Sequence, residues 1–170
     1  VLMELSEKAC SVLSHLDALG IKYEVIRHKA VFSCEESRET VKTPGAVACK
    51  NLFVKDIRSG IFYLIVLKSE KHADLKSLAG YVGAGRFVFA DDNELLSKLG
   101  VERGSVSPFA LLNDKERKVR LMMDEEVLSS EKIRFHPNDN TATVVLSSED
   151  FLKYADSVRA YIMRIRTGGR

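Results

Sequence analysis

The chain has 170 residues, enough for one domain with a sizeable core, and its 45% hydrophobic and 29% charged residues are ordinary for a globular protein. A net charge of +2 excludes tight non-specific nucleic-acid binding by bulk charge, so any contact with RNA must come from a local patch. No apolar run approaches a membrane span, the opening segment with Glu4, Glu7 and Lys8 is not a secretory signal, and three scattered cysteines suit reduced thiols in a cytoplasmic setting.

The spacing of Ala9, Val12, Leu13, Leu16 and Leu19 predicts a helix over 6–19, stopped by Gly20. Tyr23 to Arg27 alternates as a short strand, and Ser33 with Glu36 forms the capping box of a second helix. Pro44-Gly45 then turns the chain into a strand over 48–56, and Arg58-Ser59-Gly60 joins it to the apolar strand 61–67 as a hairpin. A short helix over 74–78 and a strand over 86–90 flank Gly80, Gly83 and Gly85. These glycines precede a strand, whereas a dinucleotide fingerprint follows one. Asp91 or Asp92 caps a helix ended by Gly100, with strands at 118–123, 133–135 and 141–146 beyond it. A last helix starts at Ser147 and runs to about Val158. The reading is an α+β (mixed α/β) single domain over 1–158, followed by a basic tail or linker over 159–170.

The residues that carry chemistry sit in three places. Lys50, in a strand that should be buried, either reaches water along its stem or supplies a cation to an anionic group. Its neighbour Asn51 belongs on the opposite face if the strand is regular. The loop Gly104-Ser105-Val106-Ser107-Pro108 can converge successive backbone N–H groups on an anion, or simply connect two elements. His136, between Phe135 and Pro137, lies at a strand end. No strand-turn-helix elbow surrounds Ser105 or Ser107, and the four histidines show no metal-ligand spacing, so neither a nucleophilic triad nor a zinc site is expected. Cys49 reads as core.

Taken together, Lys50-Asn51-Leu52-Phe53, Gly104-x-x-x-Pro108-Phe109 and Phe135-His136-Pro137-Asn138 followed by Thr141 and Thr143 resemble the YbaK/prolyl-tRNA editing family, in its ProX/PrdX-type branch. Supporting matches are His28 to Ser33, Asp74 to Leu78 and Arg86 to Ala90; the similarity spans about Leu13 to Tyr154. The resemblance implies a mixed, curved sheet flanked by helices and hydrolysis of mischarged Ala-tRNA(Pro). The alternatives are a Cys-tRNA(Pro) deacylase or a non-catalytic tRNA-binding appendage. It implies that Lys50 holds the terminal nucleotide and that residues 104–108 serve the ester carbonyl and ribose. Asn51, Phe53, His136 and Asn138 are then substrate-binding, and water is the nucleophile. No cofactor or metal is implied. The implied partners are the 3′ acceptor end of tRNA(Pro) and prolyl-tRNA synthetase, fused or in trans, with no membrane.

Overall fold

The computed structural model describes residues 4–168. Its frame is one mixed sheet in the order β1-β7-β6-β2-β3-β5-β8, with a short β4 also paired to β2. The strands are β1 (Tyr23–Arg27), β2 (Ala46–Asp56), β3 (Phe62–Lys68), β4 (Phe87–Phe89), β5 (Arg120–Asp124), β6 (Lys132–Phe135), β7 (Ala142–Ser147) and β8 (Ile162–Ile165). The helices are α1 (Glu7–Ala18), α2 (Cys34–Thr40), α3 (Leu75–Tyr81), α4 (Asp92–Leu99), α5 (Glu125–Leu128) and α6 (Ser148–Ser157), with a 3-10 helix at Pro108–Asn113.

Local sequence accounts for most boundaries. Ser6, Ser33, Asp74, Asp91 and Ser147 cap their helices by accepting a backbone N–H, each contact worth about 1 kcal/mol. Asp91 and Glu94 form a reciprocal box, and Gly100 ends α4 in the left-handed conformation. β3 is buried from Phe62 to Leu67 because both faces of the sheet are covered. On one face, α1, α4, α6 and the 3-10 helix enclose a core around Phe53, Leu64, Phe109, Phe135 and Tyr154. On the other, Leu78 and Ala79 of α3 cover Val54, Tyr63, Ile65 and Phe87.

The glycine cluster is structural. The Asp56 carboxylate accepts the N–H groups of Arg58, Gly85 and Arg86 and the Ser59 hydroxyl. The Ser59 bond first, then the backbone donors, holds Asp56 down to about 2. A Cβ at Gly85 would lie 2.8 Å from Arg58 Cβ, which explains the glycine there.

The C-terminal reading needs correction. Residues 162–165 are not a fraying tail: β8 runs parallel to β5, and Ile165 is buried. Thr167 is clamped by the buried pair Lys71–Asp124, whose charged atoms are 2.6 Å apart, and Tyr81 donates to the Arg166 carbonyl. Burying Ile165 and satisfying this ion pair outweighs the solvation preferred by Arg164 and Arg166. The end of the expected tail, Gly169 and Arg170, lies outside the described residues, as do residues 1–3.

Candidate active site

β2 is the strand on which the site is built, because its two edges differ. Along one edge β3 pairs continuously from Cys49 to Lys55. Along the other, β6 pairs only with 46–48 and β4 only with 54–56. Residues 49–52 therefore face a break in the sheet. The register fixes which backbone groups point there. Ala48 accepts from Ser69, and Asp56 donates to Ile61, so even-numbered residues bond towards β3. Phe53 accepts from Ala90 on the opposite edge, and Asn51 by alternation presents its N–H and C=O to the break.

A cavity of about 310 Å³ occupies that break, bordered by Lys50, Asn51, Phe53, Gly104, Val106 and His136, with Phe32 and Phe89 at its mouth. Lys50 and Asn51 keep the opposite faces that the regular β2–β3 register gives them, yet both border the cavity. The cavity runs along the strand's open edge, where side chains of both faces border it. A second chamber of about 30 Å³ adjoins it, sharing Cys49, Asn51 and His136 and closed by Arg134 and Thr143.

Lys50 has no ion pair or hydrogen bond among the described residues, whereas Lys55 on the same strand reaches Glu94 at 2.9 Å. Asn51 Oδ1 is buried with no hydrogen-bond partner. A buried acceptor left unmatched costs about 1–3 kcal/mol, the mark of a group kept for a ligand. His136 Nδ1 lies 2.8 Å from the Ala142 carbonyl, which can only accept, so Nδ1 carries the proton and Nε2 keeps its lone pair. Burial first, then the nearby His28 and Arg134, holds His136 below the ordinary imidazole range, so it is neutral near pH 7. Arg134 is itself buried. It donates to the Val41 and Ser37 carbonyls and the Thr43 hydroxyl, which ties α2 and the following turn to the sheet.

The loop 104–108 divides. Gly104 and Val106 border the cavity. Gly104 has φ +89, and a Cβ there would lie 3.6 Å from Phe32 Cδ1. Ser105, Ser107 and Pro108 are buried and do not border it. The Ser105 N–H is already given to the Glu102 carbonyl, which removes one of the successive donors expected of this loop. Ser107 caps the 3-10 helix through the Phe109 N–H, and its hydroxyl donates to Asn138 Oδ1 at 3.4 Å. The Pro108 carbonyl accepts from Tyr154. These residues, and Asn138 with its left-handed φ of 60, hold the two loops together. Sequence alone puts them at the substrate, because loop position reveals nothing about which side faces in.

Sequence alone does not single out Phe32 and Phe89. They are 74% and 61% exposed at the cavity mouth, and only the assembled sheet separates such residues from core phenylalanines. The Cys49 thiol is pushed up by burial and is a poor nucleophile. The hydroxyl–imidazole contact beside the chambers, His28 to Thr143 at 2.8 Å, uses a threonine sealed behind the smaller one. The arrangement suits placing an ester and stabilising charge on it, with no activated protein nucleophile among the described residues.

Residues 28–154 match the model of the aminoacyl-tRNA editing domain. The chain belongs to the aminoacyl-tRNA editing family. Editing an aminoacyl-tRNA is hydrolysis of its ester, so the chain is a hydrolase of that class. It is 36% identical over 143 residues to the prolyl-tRNA editing protein ProX of Acetoanaerobium sticklandii, covering 84% of this chain and 87% of that one. It is 35% identical over 153 residues to the prolyl-tRNA synthetase associated domain-containing protein 1 of Bos taurus, covering 88% and 89%. A crystal structure described as a candidate trans-editing enzyme for prolyl-tRNA synthetase shares the fold. Its TM-score is 0.70 at 18% identity, covering 97% of this chain and all of that one. No helix among the described residues is long and apolar enough to cross a membrane.

Proposed function

We propose that this chain hydrolyses the ester of Ala-tRNA(Pro), acting on the 3′ acceptor end in the cavity beside β2. The observation that carries the reading is the meeting of two chambers at Asn51, whose buried oxygen lacks a donor. An aminoacyl ester brings an α-ammonium to that point, and Asn51 Oδ1 and His136 Nε2 are acceptors for it. The chamber of about 30 Å³ takes a methyl group and rejects a proline ring, the second sieve that small differences in side-chain size require.

The remaining groups then have roles. Lys50 neutralises a terminal phosphate or the oxyanion, and the Gly104–Val106 backbone lies against the ester and ribose. Phe32 and Phe89 offer faces on which unpaired terminal bases stack. Water adds to the carbonyl carbon, and the ester C–O bond breaks. One water proton leaves on the ribose oxygen, the other passes to solvent, and the amino acid departs as its carboxylate. The similarity to ProX and to a protein named for association with prolyl-tRNA synthetase supports tRNA(Pro) as carrier.

The test is release of labelled amino acid from Ala-tRNA(Pro), Cys-tRNA(Pro) and Pro-tRNA(Pro). Fast loss of alanine with Pro-tRNA(Pro) spared is expected. Preference for cysteine would move the specificity, and hydrolysis of none of the three would reject the reading.

A further inference from the structure

A second cavity of about 340 Å³ lies at the far end of the sheet, where the chain enters β5 and β8. Arg117, Arg120 and Arg159 line it together with Asp114 and Tyr161. None of the three arginines is paired with a carboxylate among the described residues, whereas Arg103 and Arg166 bind Asp92 and Glu125 at 3.0 and 2.6 Å. Asp114 is engaged elsewhere, accepting the backbone N–H groups of Lys118 and Val119. Arg120 instead lies over the Tyr63 ring at 5.8 Å, an arrangement that fixes its guanidinium without neutralising it.

Two of these arginines also sit on unfavourable backbone. Arg117 and Arg159 have φ of 55 and 54, a region that costs a side chain other than Gly or Asn about 1–2 kcal/mol. Tyr161, 81% exposed, completes the rim. An excess of unneutralised guanidinium groups around a concave surface suits several phosphates better than a single small anion.

We infer that this cavity binds the sugar–phosphate backbone of RNA, holding the duplex next to the 3′ end whose ester lies at β2. The inference rests on the editing reading for its ligand. The register sets the distance. Phe89 pairs with Val54, Val54 with Tyr63 and Tyr63 with Arg120, and Leu121 beside Arg120 pairs with Ile162 beside Tyr161. Four strand spacings of ~4.8 Å thus separate the mouth of the ester cavity from Tyr161, roughly 19 Å. Stacked base pairs rise ~3.4 Å each, so phosphates several nucleotides from the 3′ end fall over the arginines. Guanidinium contacts to phosphate carry affinity and orientation without sequence preference.

The experiment compares wild type with Arg117→Asn/Arg120→Gln/Arg159→Asn, asparagine being tolerated at the two left-handed positions. Binding of uncharged tRNA(Pro) is followed by fluorescence anisotropy from about 50 to 200 mM salt. The expected result is at least tenfold weaker binding at low salt and a salt slope smaller by about 2–3, as three lost phosphate contacts require. Hydrolysis of an alanyl ester of the trinucleotide CCA, too short to reach the arginines, should be unchanged while kcat/KM on Ala-tRNA(Pro) falls. Arg120→Gln alone, on ordinary strand backbone, should lower the slope by about 0.7–0.9 and guards against a misfolded triple variant. Unchanged tRNA affinity and slope would overturn the inference and leave a protein surface as the patch's partner. Equal loss on the long and short esters would also overturn it. If wild type hydrolyses neither ester, the editing reading fails, while the salt slope still decides whether the arginines hold RNA.

Discussion

Replacing Asn51 with leucine should make the free protein more stable and the enzyme worse. Asn51 Oδ1 is buried without a partner, and its side chain makes no hydrogen bond among the described residues. Leucine has a similar volume and removes an unmatched acceptor that costs about 1–3 kcal/mol. At the low end of that range the gain is about 1 kcal/mol, which for a chain of this size raises Tm by about 2–4 °C. The same change deletes the acceptor proposed for the α-ammonium. A hydrogen bond to a charged group is worth about 1.5–3 kcal/mol, so kcat/KM on Ala-tRNA(Pro) should fall about ten- to a hundredfold. Differential scanning calorimetry and single-turnover deacylation measure the two effects on one preparation. A lower Tm would show that Asn51 has a structural partner, and full activity would show that its oxygen is not used by substrate.

Other consequences follow from the same geometry. Gly104→Ala meets only ordinary contacts but must hold φ +89, so a loss of about 1–2 kcal/mol is expected in denaturant unfolding, with Gly104→Val worse and inactive. An active, fully stable valine variant would make the loop a mere connection. Lys71→Ala strands the buried Asp124 and should cost about 3–5 kcal/mol, against little for Lys118→Ala in the exposed pair with Glu116. Comparable Tm values for the two variants would contradict the clamp on β8. His136 binds a proton less readily folded than unfolded, because burial depresses it. Its contribution to stability is therefore complete above the ordinary value of 6.5 and is lost as pH falls below it. Tm should drop on acidification below that value, and less steeply in His136→Gln; parallel profiles would refute the assignment.

The helices other than α5, and the β2–β3 hairpin, are legible because their signals are local. Ser33, Asp91 with Glu94, Gly100 and Ser147 mark boundaries by chemistry with their own neighbours. β8 was not legible. Arg164 and Arg166 flank Ile165 as they would in a solvated tail, and only pairing with β5, far away in sequence, makes a strand of it. α5 escaped for its brevity, its start marked only by Asp124 accepting the Glu126 N–H. For the site, Lys50 and His136 could be picked out as charged or titratable residues at strand positions. That Lys50 and Asn51 share a cavity could not be, because it follows from where β4 and β6 stop pairing along β2. The exposure of Phe32 and Phe89, and the withdrawal of Ser105, Ser107 and Pro108 behind the loop, are likewise products of assembly.

The proposed hydrolysis of Ala-tRNA(Pro) at the open edge of β2 depends on Lys50, a cation unpaired among the described residues. The most direct measurement is single-turnover release of alanine from Ala-tRNA(Pro) by wild type and Lys50→Ala, with Tm recorded for both. Rapid release by wild type is expected, with loss of two or more orders of magnitude in a variant that melts at the same temperature, since Lys50 has no partner among the described residues. Undiminished release by Lys50→Ala would contradict that dependence.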